Sequence, residues 1–83
     1  MEIVWDEPKR LANILTHKMD FADLDETFFG SSYIAPAKHG RLIAVGRLNS
    51  GVVAVVFVVL GTEGVSVISM RPASRKERKL IDE

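Results

Sequence analysis

The sequence predicts an α+β fold: an antiparallel sheet meander packed with two amino-terminal helices and a short carboxyl-terminal helix. Three observations carry that expectation. Apolar residues recur at helical spacing before residue 30, nearly continuous β-branched runs begin after Arg41, and a Ser-x-x-Glu signature follows the last of these runs. Residues 1–83 are read as one domain, because a chain of this length has no room for a second core.

The elements follow in order. Ile3-Val4-Trp5 forms a short strand, and Asp6 and Glu7 stand before Pro8, whose missing amide suits a first helical turn. Leu11, Ile14 and Leu15 fall at i, i+3 and i+4, so they define the apolar face of a first helix, with Lys9, Arg10 and Asn13 on the remaining face. That helix is expected to end near His17 and Lys18. Asp20 can cap a second helix carrying Phe21, Leu24 and Phe28, which Gly30-Ser31-Ser32 stops. Tyr33 and Ile34 read as a loop or weak strand. Leu42 to Val45, Val52 to Leu60 and Val65 to Met70 are three strands joined by turns at Asn49-Ser50-Gly51 and Gly61-Thr62-Glu63-Gly64. The middle run is apolar on both faces and must lie centrally, with the amino-terminal helices on one side and the last helix or a partner chain on the other. Ser74-Arg75-Lys76-Glu77 then caps a basic closing helix.

Composition removes whole classes of function. There is no cysteine, hence no disulfide, thiolate zinc site or cysteine nucleophile. His17 and His39 are the only histidines and neither has a second ligand at a helical spacing, so no metal is expected. No GxGxxG or P-loop pattern is present, and no nucleotide cofactor is expected. The longest apolar run has nine residues where a spanning helix needs about 20, so no membrane segment is expected either. The opening Met1-Glu2-Ile3-Val4-Trp5-Asp6 has no export signal, which with the absent cysteines fits the cytoplasm.

Net charge is zero, from 11 basic and 11 acidic residues, but it is unevenly spread. Residues 1–30 carry seven acids against Lys9, Arg10 and Lys18, and residues 31–83 carry the compensating excess of base. Arg71, Arg75, Lys76, Arg78 and Lys79 crowd into nine positions with only Glu77 among them, a pattern suited to a polyanion. RNA cleavage needs few protein groups when the ribose 2′-hydroxyl attacks and a cyclic phosphate forms. A base accepts the 2′-proton, an acid protonates the leaving 5′-oxygen, and cations stabilise the phosphoryl oxygens. His17, His39, Lys9, Arg41, Arg71 and Arg75 supply those types. Arg41 and Arg47 share strand parity, which would set them on one sheet face with Ile43 and Val45.

The ordered set Trp5-Asp6-Glu7-Pro8-Lys9, Asn13, His17, Phe21, Arg41 with Gly46, and Ile68-Ser69-Met70-Arg71 leading to Arg75-Lys76-Glu77-Arg78 resembles the BrnT family of toxins nearly end to end. Lys18 stands where that family has a glycine after the histidine. The resemblance implies a RelE-like fold and a ribonuclease that arrests translation, encoded in a toxin–antitoxin operon. It also implies a hetero-oligomer with a BrnA-like ribbon-helix-helix antitoxin, through which alone operator DNA would be contacted. Carried over by position, the catalytic candidates are Lys9, His17, Arg41 and Arg71, with Arg75 and Arg78 as RNA-binding candidates. The alternative is a module that keeps the antitoxin surface and represses its operon without cleaving RNA.

Overall fold

The computed structural model describes residues 1–81. Strands β1 (Glu2–Trp5), β2 (Tyr33–Pro36), β3 (Leu42–Leu48), β4 (Gly51–Leu60) and β5 (Gly64–Pro72) form one sheet in the order β1-β5-β4-β3-β2, accompanied by helices α1 (Glu7–His17), α2 (Glu26–Ser31) and α3 (Arg75–Arg78). The apolar run of β4 is central, as its composition requires. The meander β2 to β5 is antiparallel, but β1 pairs with β5 in parallel, Ile3 beside Val65 and Trp5 beside Val67, so the sheet is mixed. The physical reason is the crossover: α1 and α2 intervene between β1 and the meander and return the chain to the far edge.

Strand register sorts the two faces. Ala44, Val53, Val55, Phe57, Val65, Val67 and Met70 point to one side and are buried there with Phe21, Leu24, Phe28 and Phe29. Rings meet edge to face, Phe28 with Phe29 at 5.3 Å between centroids and Phe29 with Phe57 at 5.1 Å. Fully burying side chains of this size stabilises the fold by roughly 1.5–3 kcal/mol each. Val67 and Met70 share this face although they are three residues apart, because Val56 pairs with Ser69 while Phe57 pairs with Val67. Ile68 is therefore the extra residue of a β-bulge, which restores the inward parity of Met70.

On the opposite face the pairing groups Ile43, Val45, Ala54, Val56, Ser69 and Arg71. The segment around α3 lies against it, since Arg71 Nη1 and Nη2 donate to Glu77 and Arg47 Nη2 donates to the Ile81 carbonyl. Ala54 and Val45 are buried, whereas Ile43, Val56 and Val58 are only half-buried.

Two expectations for the helices are corrected. The second helix is split: Asp20 accepts from the Ala22 amide and caps only a 3₁₀ turn, Phe21–Asp23, then Asp25 accepts from the Phe28 amide and starts α2. A second capping acid interrupts the helix, yet Phe21, Leu24 and Phe28 still reach the core. The orientation of α1 is also different. Leu11 and Leu15 are 50% and 76% exposed, whereas Asn13 is 7% exposed.

Candidate functional site

The inversion of α1 builds the site. Past Trp5, β1 no longer pairs with β5, and α1 takes over that edge of the sheet. The Met70 amide, facing outward there, donates to Asn13 Oδ1 at 3.1 Å, and Asn13 Nδ2 donates to the Met19 carbonyl at 3.0 Å. One amide side chain thus satisfies a strand N–H and a loop C=O that would otherwise lack partners, a stronger demand than burying a leucine. Lys9 and His17 lie four residues either side of Asn13, on the same face of the helix.

A second set of contacts fixes the start of α1. Trp5 Nε1 donates to Glu7 Oε1 at 3.1 Å, Arg10 Nε and Nη2 donate to Glu7 at 3.0 and 2.7 Å, and Arg10 Nη1 donates to both oxygens of Asp20 at 3.0 and 2.9 Å. Hydrogen bonds from Arg10 and Trp5 hold the Glu7 carboxyl below its ordinary range, and those from the Ala22 amide and Arg10 do the same for Asp20. The Trp5 ring packs edge to face on Phe21, with centroids 6.3 Å apart. The helix is therefore pinned at its first turn, at its middle and at its end, where Lys18 adopts a left-handed conformation (φ 59°) and donates its amide to the Ile14 carbonyl.

Lys9, Ala12, Asn13, Thr16 and His17 line one wall of an open cleft of about 340 Å³, completed by Ile68 of the bulge and by Arg41. Arg41 does not belong to β3. It closes a 3₁₀ turn, Lys38–Gly40, in which His39 and Gly40 have positive φ, and its amide donates to the Lys38 carbonyl. Strand parity therefore does not govern Arg41, and Arg47 lines a different pocket with Asp23, Asp25 and Thr27. The cleft brings together Lys9, His17 and Arg41, and its lining does not include Arg71, Arg75 or Arg78. Arg71, on the face shared by Ser69 and Ala54, forms a bidentate pair with Glu77, at 2.7 and 2.8 Å. Arg75 and Arg78 lie on the exposed side of α3. His39 is exposed in its turn and is absent from the cleft.

Chemically, the cleft offers an imidazole, an ammonium and a guanidinium beside the Asn13 amide, two small side chains and one aliphatic one. Such a set can hold an anion and move a proton. Among the described residues no group of His, Cys, Asp and Glu could hold a metal ion, and no helix is long and apolar enough to cross a membrane. A larger pocket of about 460 Å³ elsewhere, lined by Phe29, Phe57, Val59 and Val65 with Glu26 and Glu63, has no Lys, Arg or His in its wall. Asn13 is the residue that sequence reasoning undervalued; its position midway between Lys9 and His17 was the available signal.

A sequence model of the family described as the ribonuclease toxin BrnT of type II toxin–antitoxin systems matches residues 5–77. The chain belongs to the BrnT family. No curated protein matches it. The crystal structure of the Brucella abortus ribonuclease toxin BrnT is similar over 90% of this chain and 99% of that one, with 51% sequence identity and a TM-score of 0.83. Membership makes the chain a ribonuclease toxin of a type II system, for which an antitoxin is the implied partner. The likeness also agrees with the mixed α+β architecture of five strands and flanking helices. The BrnT match covers every candidate except Arg78, which lies one residue beyond it.

Proposed function

We propose that this BrnT toxin cleaves RNA without a metal, through 2′-hydroxyl attack, and arrests translation by doing so. Arg41 holds the scissile phosphate together with Arg71, while His17 or Lys9 accepts the 2′-proton and the other supplies one to the leaving 5′-oxygen. Arg75 and Arg78 contact the RNA backbone beyond the cleft. The observation that carries this reading is the shared cleft of Lys9, His17 and Arg41, which come from two distant stretches of the chain. Cationic and imidazole groups are what such a displacement needs.

In this reading residues 1–83 act as one RelE-like domain in the cytoplasm, paired with a BrnA-like ribbon-helix-helix antitoxin that alone touches operator DNA. The half-covered sheet face and the basic carboxyl-terminal segment favour a hetero-oligomer. The direct test incubates purified protein with single-stranded RNA, and with ribosome-bound RNA, in excess chelator. Cleavage is expected, with Arg41→Ala and His17→Ala each reducing it at least 100-fold, the lower end of what removing a catalytic group costs. RNA left intact in both settings refutes the proposal. Unimpeded growth on expression, with an antitoxin still co-purifying, would instead support the non-cleaving module.

A further inference from the structure

The pair between Arg71 and Glu77 is bidentate and is tied into the cap of α3. Glu77 Oε1 accepts from Arg71 Nη1 at 2.7 Å and from the Ser74 amide at 2.8 Å, and Oε2 accepts from Arg71 Nη2 at 2.8 Å. The remaining Nη1 hydrogen has the Pro72 carbonyl at 3.3 Å. A guanidinium has five N–H donors in one plane. With the end-on edge taken by Glu77, what remains is the side-on edge, Nε–H and the second hydrogen of Nη2, which among the described residues have no partner. That edge is a parallel fork, the geometry that matches two phosphate oxygens. The Glu77 carboxylate is held in turn by the Ser74 backbone amide, while the Ser74 hydroxyl separately accepts from the Glu77 backbone amide and caps the helix.

We infer that Glu77 is the positioning residue for Arg71, fixing the guanidinium so that a single fork, Nε with Nη2, faces the RNA phosphate. The inference rests on the proposed role of Arg71 in holding that phosphate. Orientation is gained here at the expense of attraction, since the carboxylate offsets much of the cation's charge before RNA arrives. Removing the carboxylate therefore has opposite effects on binding and on chemistry, and a mere helix cap would not.

The test compares the full chain with its Glu77→Gln, Ser74→Ala and Arg71→Ala variants on an end-labelled single-stranded RNA, with ribosomes added if free RNA is not cut. Glutamine keeps an oxygen for the Ser74 amide but loses the charge. The expected result for Glu77→Gln is a kcat at least tenfold lower with KM level or reduced. The Arg71 Nη protons, slow to rotate in the parent by nuclear magnetic resonance, should rotate freely in that variant. Ser74→Ala should lower the melting temperature yet keep kcat, which separates the cap from the positioning role. Should Glu77→Gln fail to fold, the Nη rotation of Arg71 in Glu77→Asp, and its kcat, serve in its place. Unchanged kcat in a folded Glu77 variant overturns the inference, and so does a raised kcat, which would mark Glu77 as a competitor of phosphate. Arg71→Ala cleaving like the parent removes the premise, and a parent that cuts neither RNA shows that the reading beneath it has failed.

Discussion

Asn13 joins three elements through one side chain. Its amide is the junction between helix, loop and strand, so Asn13→Ala leaves the Met70 amide and the Met19 carbonyl without partners. A loss of about 2–4 kcal/mol is expected from two unsatisfied groups, read by urea unfolding, and cleavage should fall in step because Lys9 and His17 lose their anchor. Lys18 offers the opposite experiment. It holds a left-handed conformation that costs a side chain about 1–2 kcal/mol and that glycine adopts without that penalty. Lys18→Gly should stabilise the protein by roughly 0.5–1 kcal/mol, after the entropy glycine adds to the unfolded chain, and calorimetry should show a higher Tm. The inward role of Asn13 was hidden in the sequence because period arguments rank residues by polarity. An amide that completes two backbone hydrogen bonds outcompetes Leu11 and Leu15 for the inner face, and no local pattern announces which strand will present an unpaired N–H.

Elements were legible to different degrees for physical reasons. The strands of the meander were readable, since β-branched runs separated by glycine turns specify both strand and connection; the parallel pairing of β1 was not, because it depends on the whole crossover. The break between Phe21 and α2 was present in the string as a second acid, Asp25, but two caps five residues apart are also compatible with one longer helix. Packing of α2 on β3 depends on Gly46. A Cβ there would lie 2.9 Å from Phe28 Cε1 and closer still to Ser32 Oγ, which is tied to the Phe28 carbonyl by a 2.6 Å hydrogen bond that it would have to give up to move away. Gly46→Ala should therefore cost about 1–3 kcal/mol, measured by chemical denaturation, even though alanine is a better strand former. Unaltered stability would show that α2 rides on the sheet more loosely than this geometry requires.

For the whole molecule the separation of charge matters most. Hydrogen bonds from Arg71 and the Ser74 amide hold the Glu77 carboxyl down to about 2, and Glu7 and Asp20 are also held below their ordinary values. A depressed carboxyl stabilises the fold above its unfolded pKa, and that contribution is lost as pH falls through the folded value. Stability should thus decline from about pH 4.5 towards pH 2, and Glu77→Gln should flatten that acid limb in unfolding experiments run across the range. RNA affinity should weaken with salt. Phosphate contacts by Arg41, Arg71, Arg75 and Arg78 together predict a slope of log K against log salt of about −3, which a titration between 50 and 200 mM would measure. Of the candidate site, Lys9, His17 and Arg41 were legible as residue types and through the family likeness; the bond that engages Arg71 was not, because the Ser74–Glu77 capping pattern specifies only contacts within the helix start. The bulge and the Asn13 anchor have one last consequence. Lys9 and His17 ride on a single rod, so any evolutionary drift in the tilt of that rod displaces both together, whereas Arg41 hangs from an unrelated turn. Changes confined to the Lys38–Gly40 loop therefore move Arg41 relative to the cleft while leaving the helical pair undisturbed.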